Sequence, residues 1–176
     1  MSTTPEHRFY EMTKKAVESH YVNLGCSVDF EITGFPPLKG VPEKYLKQEF
    51  LQRYKRVLPT PDIIGWVTPG WSSTKERKLV VVEFKMEPVF RDVFQAKGYD
   101  ELFDADSTLL VSQYPLYDNS RKTFEFLSQN PKLTRTKNGS SWVVFKFLTK
   151  TPQGKPLLAQ LGTDIGVLPY AAPWEP

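Results

Sequence analysis

Three ionisable residues of this sequence, Asp62, Glu83 and Lys85, have the types and spacing that could support chemistry on an ion or a phosphate. Glu83 and Lys85 are two positions apart, so on a β-strand both side chains leave the same face, with Cα atoms about 6.6–6.8 Å apart. Charges at the end of a buried strand are costly unless they are paired or bind a metal. If Asp62 lies beside Glu83 on a neighbouring strand, two carboxylates can share one divalent ion.

Taken alone, this pattern is also compatible with an ordinary ion pair, because an acid-x-Lys triplet is common by chance. A second such triplet, Glu76-Arg77-Lys78, lies in a polar stretch that predicts a turn, so we do not consider this triplet a candidate site. Asp164 is a rival for Asp62, since it is followed by Ile and then Gly in a similar local sequence. The order of the predicted strands favours Asp62, because Asp164 comes well after the Glu83 strand.

The elements that would position these residues follow from hydrophobic periodicity and from the positions of Gly and Pro. In chain order we predict a helix over 6–24, a half-buried strand over 26–33, a loop over 34–42, a charged amphipathic helix over 43–58, strands over 62–68 and 79–86 joined by a polar turn, a helix over 88–105, a strand over 108–112, a helix over 121–129, a strand over 142–148 and an extended segment over 164–169. The valines at 80–82 indicate a strand buried on both faces. A strand meander leading into a crossover helix predicts a mixed α/β sheet.

A second pair of residues, Gln95 and Tyr99, lies one helical turn apart on the helix predicted after the Glu83 strand. Pro61-Asp62, then Glu83-x-Lys85, then Gln95-x-x-x-Tyr99 is a motif order that resembles the PD-(D/E)xK nuclease superfamily, in particular its RecB-like branch with a Gln-x-x-x-Tyr motif. The alternative for Tyr99 is a core aromatic residue whose hydroxyl reaches the rim of the site.

The resemblance implies a single domain over 1–176 with the restriction-endonuclease-like fold, a central mixed β-sheet flanked by helices. It implies a Mg²⁺- or Mn²⁺-dependent deoxyribonuclease in which Asp62 and Glu83 bind the metal and Lys85 orients the attacking water. Gln95 and Tyr99 would lie at the lip of that site, touching phosphate or positioning the water.

The resemblance also implies a glutamate on the first helix as a further metal ligand. Glu11 fits best, with Glu6 and Glu18 as rivals. Residues 36–58 depart from the family pattern and look like a helical insertion. Some RecB-like members carry four cysteines for an iron–sulfur cluster, which the single Cys26 of this chain excludes.

Positive charge is unevenly distributed along the chain, although the formal net charge is only +3. No acidic residue occurs between Glu125 and Asp164. Local positive surface favours a polyanion such as DNA, although a solvated basic face explains the charge equally well. The candidate nucleic-acid-binding residues of this stretch are Lys132, Arg135, Lys137, Lys146 and Lys150.

Length and composition limit the number of domains, the cellular location and the partners that we expect. A chain of 176 residues with one cysteine and two histidines predicts one domain without disulfides or a zinc finger. We expect a reducing, cytoplasmic location because a single cysteine cannot form an internal disulfide. We expect no membrane partner because apolar runs such as 79–82 are far short of a membrane span. DNA is the expected partner, and a homodimer is compatible with the sequence. The alternatives to a nuclease are a non-catalytic nucleic-acid-binding module and a structural subunit of a repair, transposition or viral complex.

Overall fold

The computed structural model describes residues 5–34, 41–46, 60–136, 141–159 and 168–176. Within these ranges the chain is an α/β protein of three α-helices and six strands. In chain order they are α1 (Tyr10–Asn23), β1 (Cys26–Ile32), β2 (Ile63–Pro69), β3 (Lys78–Lys85), α2 (Phe90–Phe103), β4 (Ser107–Gln113), α3 (Asp118–Gln129), β5 (Val143–Lys150) and β6 (Pro156–Ala159). In the described part of the chain, no helix is long and apolar enough to cross a membrane.

The strands form one mixed sheet in the order β1-β2-β3-β4-β5-β6. The first three strands are an antiparallel meander. β4 and β5 then run parallel to β3, and β6 returns antiparallel to β5. Parallel neighbours require a crossover, which α2 provides between β3 and β4 and α3 between β4 and β5. The predicted mixed α/β sheet is therefore confirmed.

Helices cover both faces of the sheet, as the apolar centre of β3 requires. Val80 and Val82 face one side, where they share a core with Tyr21 of α1. Val81 faces the other side, where it shares a core with Tyr99 of α2. Val80, Val81 and Val82 have no exposed surface, because β3 lies between β2 and β4 and is covered on both faces. The central position predicted for this strand is confirmed.

Two predicted elements differ from the structure or lie beyond its described part. The helix predicted over 43–58 does not begin at Glu43: a short 3₁₀ turn over Glu43–Tyr45 is followed by extended backbone at Leu46. Tyr45 is buried and stacks on Trp66, so tertiary packing overrides the helical periodicity there. The remainder of that helix, 47–58, and most of the extended segment over 164–169 lie outside the described residues.

Strand β6 is the element that the sequence analysis missed. It has four residues and pairs with β5, from Phe147 opposite Ala159 to Lys150 opposite Pro156. Such a short edge strand carries too few residues for an alternating pattern to stand out. Its place in the sheet depends on the hairpin that joins it to β5.

Candidate active site

The register of β2 and β3 brings the two predicted carboxylates together. Ile63 pairs with Val82, so Asp62, one residue before Ile63, falls opposite Glu83. The Asp62 Oδ2 atom accepts the backbone N–H of Phe84 at 2.8 Å. The two residues are 6% and 2% exposed, respectively, so both carboxylates lie in a nearly dry part of the protein.

The position of Asp62 is held by the end of β1. The backbone N–H groups of Thr33 and Gly34 both donate to the Asp62 carbonyl oxygen, at 2.9 and 3.1 Å. The Thr33 hydroxyl donates to the carbonyl oxygen of Pro61 at 2.6 Å. A Cβ atom on Gly34 would lie 2.8 Å from Asp62 Oδ1, so only glycine leaves room for the carboxylate. The sequence predicts a loop at Gly34 but does not indicate this contact, which depends on the pairing of distant strands.

Glu83 uses one carboxylate oxygen for hydrogen bonds and leaves the other without a partner. Its Oε1 atom lies 2.9 Å from the Lys85 ammonium and accepts the Gln95 side-chain amide at 2.9 Å. Its Oε2 atom is buried and accepts no hydrogen bond from the residues that the structure describes. The pKa of Glu83 is raised from 4.5 to about 8, first by burial and then by the Asp62 charge, against the opposing effect of Lys85. A buried carboxylate with an unpartnered oxygen is suited to binding a cation.

Gln95 and Tyr99 connect α2 to the carboxylates. Besides Glu83, the Gln95 amide donates to the Tyr99 hydroxyl at 2.8 Å. The Tyr99 hydroxyl in turn donates to the carbonyl oxygen of Thr60 at 3.1 Å, two residues before Asp62. Burial raises the pKa of Tyr99, and the Glu83 charge raises it further, so the hydroxyl keeps its proton. Tyr99 is both a core aromatic residue and a hydrogen-bonding member of this site.

The sequence of α2 explains why these two side chains point at β3. An Asp92 carboxylate oxygen accepts the backbone N–H of Val89 at 2.8 Å, which satisfies a donor at the helix N-terminus. Val93 and Ala96 are completely or almost completely buried, and both pack in the core on this face of the sheet. The small side chain of Ala96 lets the helix approach closely. Gln95 lies beside this buried stripe and reaches the end of β3.

The donor set partly fits a divalent metal ion. Two carboxylates, one with an unpartnered oxygen, are hard ligands that suit Mg²⁺ or Mn²⁺, which keep several waters. Within the residues that the structure describes, however, no three His, Cys, Asp or Glu side chains lie together as a metal-ligand group. Glu11 is exposed in the first turn of α1 and does not join Asp62 and Glu83 in such a group. Its rival Glu18 pairs with Lys14 at 2.8 Å.

Comparisons of the chain with protein-family models and with curated proteins return no match. The resemblance to the PD-(D/E)xK nucleases therefore depends on the motif residues. The rival for Asp62, Asp164, lies outside the described part of the chain.

The predicted nucleic-acid-binding residues in the described part of the chain differ in their exposure. Lys132, Arg135 and Lys150 are exposed, and the Arg135 guanidinium stacks over Trp142 at 4.7 Å. Lys137 lies outside the described residues. Lys146 is only 5% exposed, and this burial lowers its pKa.

The burial of Lys146 is a consequence of strand alternation. On β5 it shares a face with Val144 and Leu148, which pack in the α1 core, on the side of the sheet opposite Glu83. The absence of acidic residues from 126 to 163 predicts a basic surface, but it does not take the alternation of side chains along β5 into account. Lys146 therefore offers almost no surface to a phosphate.

Proposed function

We propose that the chain is a metal-dependent nuclease that hydrolyses DNA phosphodiester bonds. The observation that carries the proposal is the pairing of Asp62 opposite Glu83, with one Glu83 oxygen unpartnered and the Lys85 ammonium 2.9 Å from the other. This is the residue set that the resemblance to the PD-(D/E)xK nucleases requires. Gln95 adds support, because its amide contacts the same carboxylate.

The order of the elements also supports a restriction-endonuclease-like fold. A helix, three antiparallel strands, a crossover helix and a parallel strand follow one another from α1 to β4. This order agrees with the arrangement that the resemblance implies. The motif residues lie on β3, immediately before β2 and on α2, so the agreement covers their structural positions as well as their spacing.

Asp62 and Glu83 would hold Mg²⁺ or Mn²⁺, which would supply a nucleophile by lowering the pKa of its bound water well below the roughly 15.7 of bulk water. Lys85 can stabilise negative charge that develops on the phosphate, because its ammonium lies at the same carboxylate. Gln95 and Tyr99 fix the orientation of Glu83 through the hydrogen-bond chain that ends at Thr60. No covalent enzyme intermediate is required.

The proton on Glu83 links this site to pH. With a pKa of about 8, the Glu83 carboxyl of the metal-free protein is mostly protonated at neutral pH. A divalent cation must displace that proton, because it binds the carboxylate form. We therefore expect the apparent metal affinity to increase as the pH rises towards 8 and to level off above it.

One observation favours the alternative, a module that binds DNA without cutting it. The pair of carboxylates lacks a third acidic ligand in the described part of the chain, and Glu83 Oε1 is already engaged by Lys85 and Gln95. An ion pair between Glu83 and Lys85 that needs no metal would have a structural role. The two functions differ in one measurable respect, which is cleavage in the presence of a divalent ion.

The test is cleavage of supercoiled plasmid and of end-labelled oligonucleotides in Mg²⁺, Mn²⁺ or chelator. We expect the parent to cleave with metal and Glu83→Ala to be inactive but folded. Glu76→Ala is the matched control, since it alters the second acid-x-Lys triplet at an exposed position beside β3. The nuclease proposal is wrong if the parent does not cleave, or if folded Glu83→Ala cleaves at nearly the parental rate. Binding in chelator without cleavage in metal would support the alternative.

A further inference from the structure

Three phenylalanines beside the candidate active site are exposed, although phenylalanine is usually buried. Phe90 and Phe94 on α2 and Phe126 on α3 are 39%, 55% and 46% exposed, respectively. The rings of Phe90 and Phe126 meet edge to face with centroids 5.1 Å apart, so the two helices contribute to one patch. We call these three residues the Phe surface. A contiguous exposed apolar patch of this kind commonly marks a binding site.

The Phe surface adjoins the carboxylate site through α2. Phe94 immediately precedes Gln95, whose amide contacts Glu83. At about 100° of rotation per residue, Arg91 projects between the directions of Phe94 and Gln95. Arg91 is exposed. A DNA strand that leaves the site along this side of α2 would meet first the Arg91 guanidinium and then the Phe94 ring.

Cations flank the Phe surface. The Lys97 ammonium lies 5.9 Å from the centroid of Phe94 and donates to the carbonyl oxygen of Leu133 at 3.2 Å. This contact brings the 3₁₀ turn that carries exposed Lys132 to α2. Exposed Lys122 lies one turn before Phe126 on α3. The same two helices also carry acidic residues, of which Asp92 and Asp100 are buried, so charges of both signs surround the Phe surface: Asp92, Asp100, Glu101, Asp118 and Glu125.

We propose that the Phe surface binds unpaired bases of single-stranded DNA that extends from the carboxylate site. Exposed aromatic rings with adjacent cations are what base stacking and phosphate binding require. The patch is too small to be a stable dimer interface on its own. Its three partly exposed rings offer about 300 Å², whereas a stable interface buries about 800 Å² on each partner. The path of the strand rests on the proposed nuclease function, but binding can be measured without cleavage.

The test is fluorescence anisotropy in chelator with a labelled oligothymidylate of about 12 nucleotides, a length within the range of known single-strand sites. We expect Phe94→Ala to weaken binding about fivefold to a hundredfold, because one base–ring stack is lost. Phe94→Tyr keeps the ring and should bind like the parent. Trp71→Ala is the matched control: Trp71 is 47% exposed but lies in the turn at the other end of β3.

A second probe separates stacking from charge. An abasic strand of the same length keeps the phosphates, so Phe94→Ala should leave its affinity unchanged. The proposal is overturned if Phe90→Ala/Phe94→Ala binds oligothymidylate like the parent. It is also overturned if sedimentation shows a parental dimer that Phe94→Ala dissociates, because the surface is then a contact between copies. A parent that binds the strand through these rings but never cuts would refute only the nuclease function.

Discussion

Replacing Glu83 by glutamine should stabilise the metal-free protein, and by more as the pH rises. Glu83 is 2% exposed, and burial next to Asp62 raises its pKa from 4.5 to about 8. The unfolded chain therefore loses this proton near pH 4.5, whereas the folded protein holds it to about pH 8. Below pH 4.5 both states are protonated and stability is unaffected. Between these two pKa values the free energy of unfolding falls as the pH rises, and above about pH 8 it falls no further.

The expected size of the effect follows from this window. Each pH unit between the two pKa values removes about 1.36 kcal/mol from the free energy of unfolding. At pH 7 the parent has therefore lost about 3 kcal/mol relative to its protonated form. Glutamine has nearly the shape of the protonated acid and no proton to lose. For a protein of this size, Glu83→Gln should melt about 6–12 °C above the parent at pH 7.

The assay is thermal unfolding followed by circular dichroism in chelator, from pH 5 to pH 9. The difference in Tm between Glu83→Gln and the parent should grow up to about pH 8 and then remain constant. Glu76→Gln, at an exposed position, should show no such trend. Added Mg²⁺ should raise the Tm of the parent but not that of Glu83→Gln. If Glu83→Gln is less stable than the parent at pH 8, the ion pair with Lys85 outweighs burial and this reasoning is refuted.

Three further results are expected. Tyr99→Phe keeps the buried ring but removes the hydroxyl, so single-turnover cleavage should slow about threefold to a hundredfold; an unchanged rate would make Tyr99 purely structural. Gly34→Ala should weaken Mg²⁺ binding measured by calorimetry, since its Cβ would lie 2.8 Å from a carboxylate oxygen. Gly98→Ala, which meets open space on α2, should instead be neutral or raise stability by up to about 1 kcal/mol in denaturant titration. Lys132→Ala should flatten the salt dependence of DNA affinity by up to about 1 in log–log slope, whereas Lys146→Met should leave it unchanged.

Local patterns in the chain predict most of the sheet. The valines at 80–82 indicate a strand buried on both faces, and this strand is central. The polar stretch before Lys78 indicates a turn, and β2 and β3 form an antiparallel hairpin around it. These features depend on residues that are close in sequence. The spacing of apolar and polar residues along a strand, helix or turn is the same in any fold. The helix that carries Gln95 and Tyr99 follows for the same reason.

Other features depend on contacts between distant segments, which local periodicity does not contain. Tyr45 is buried against Trp66, so backbone in a helical pattern becomes a short turn followed by extended chain. Lys146 belongs to a basic stretch, yet alternation on β5 turns it into the core. Glu11 matches the spacing of a metal ligand, but it is exposed and joins no ligand group in the described part of the chain.

The candidate site shows the same division within a few residues. The types and spacing of Asp62, Glu83 and Lys85 are properties of the sequence, and they predict a site for a cation or a phosphate. The antiparallel register places the two carboxylates opposite each other, and packing leaves Glu83 Oε2 without a partner. Register and burial arise from the whole sheet, because shifting a strand by one residue turns each side chain to the other face. The local sequence therefore determines which ionisable groups the site contains, whereas the pKa of Glu83 depends on the folded protein.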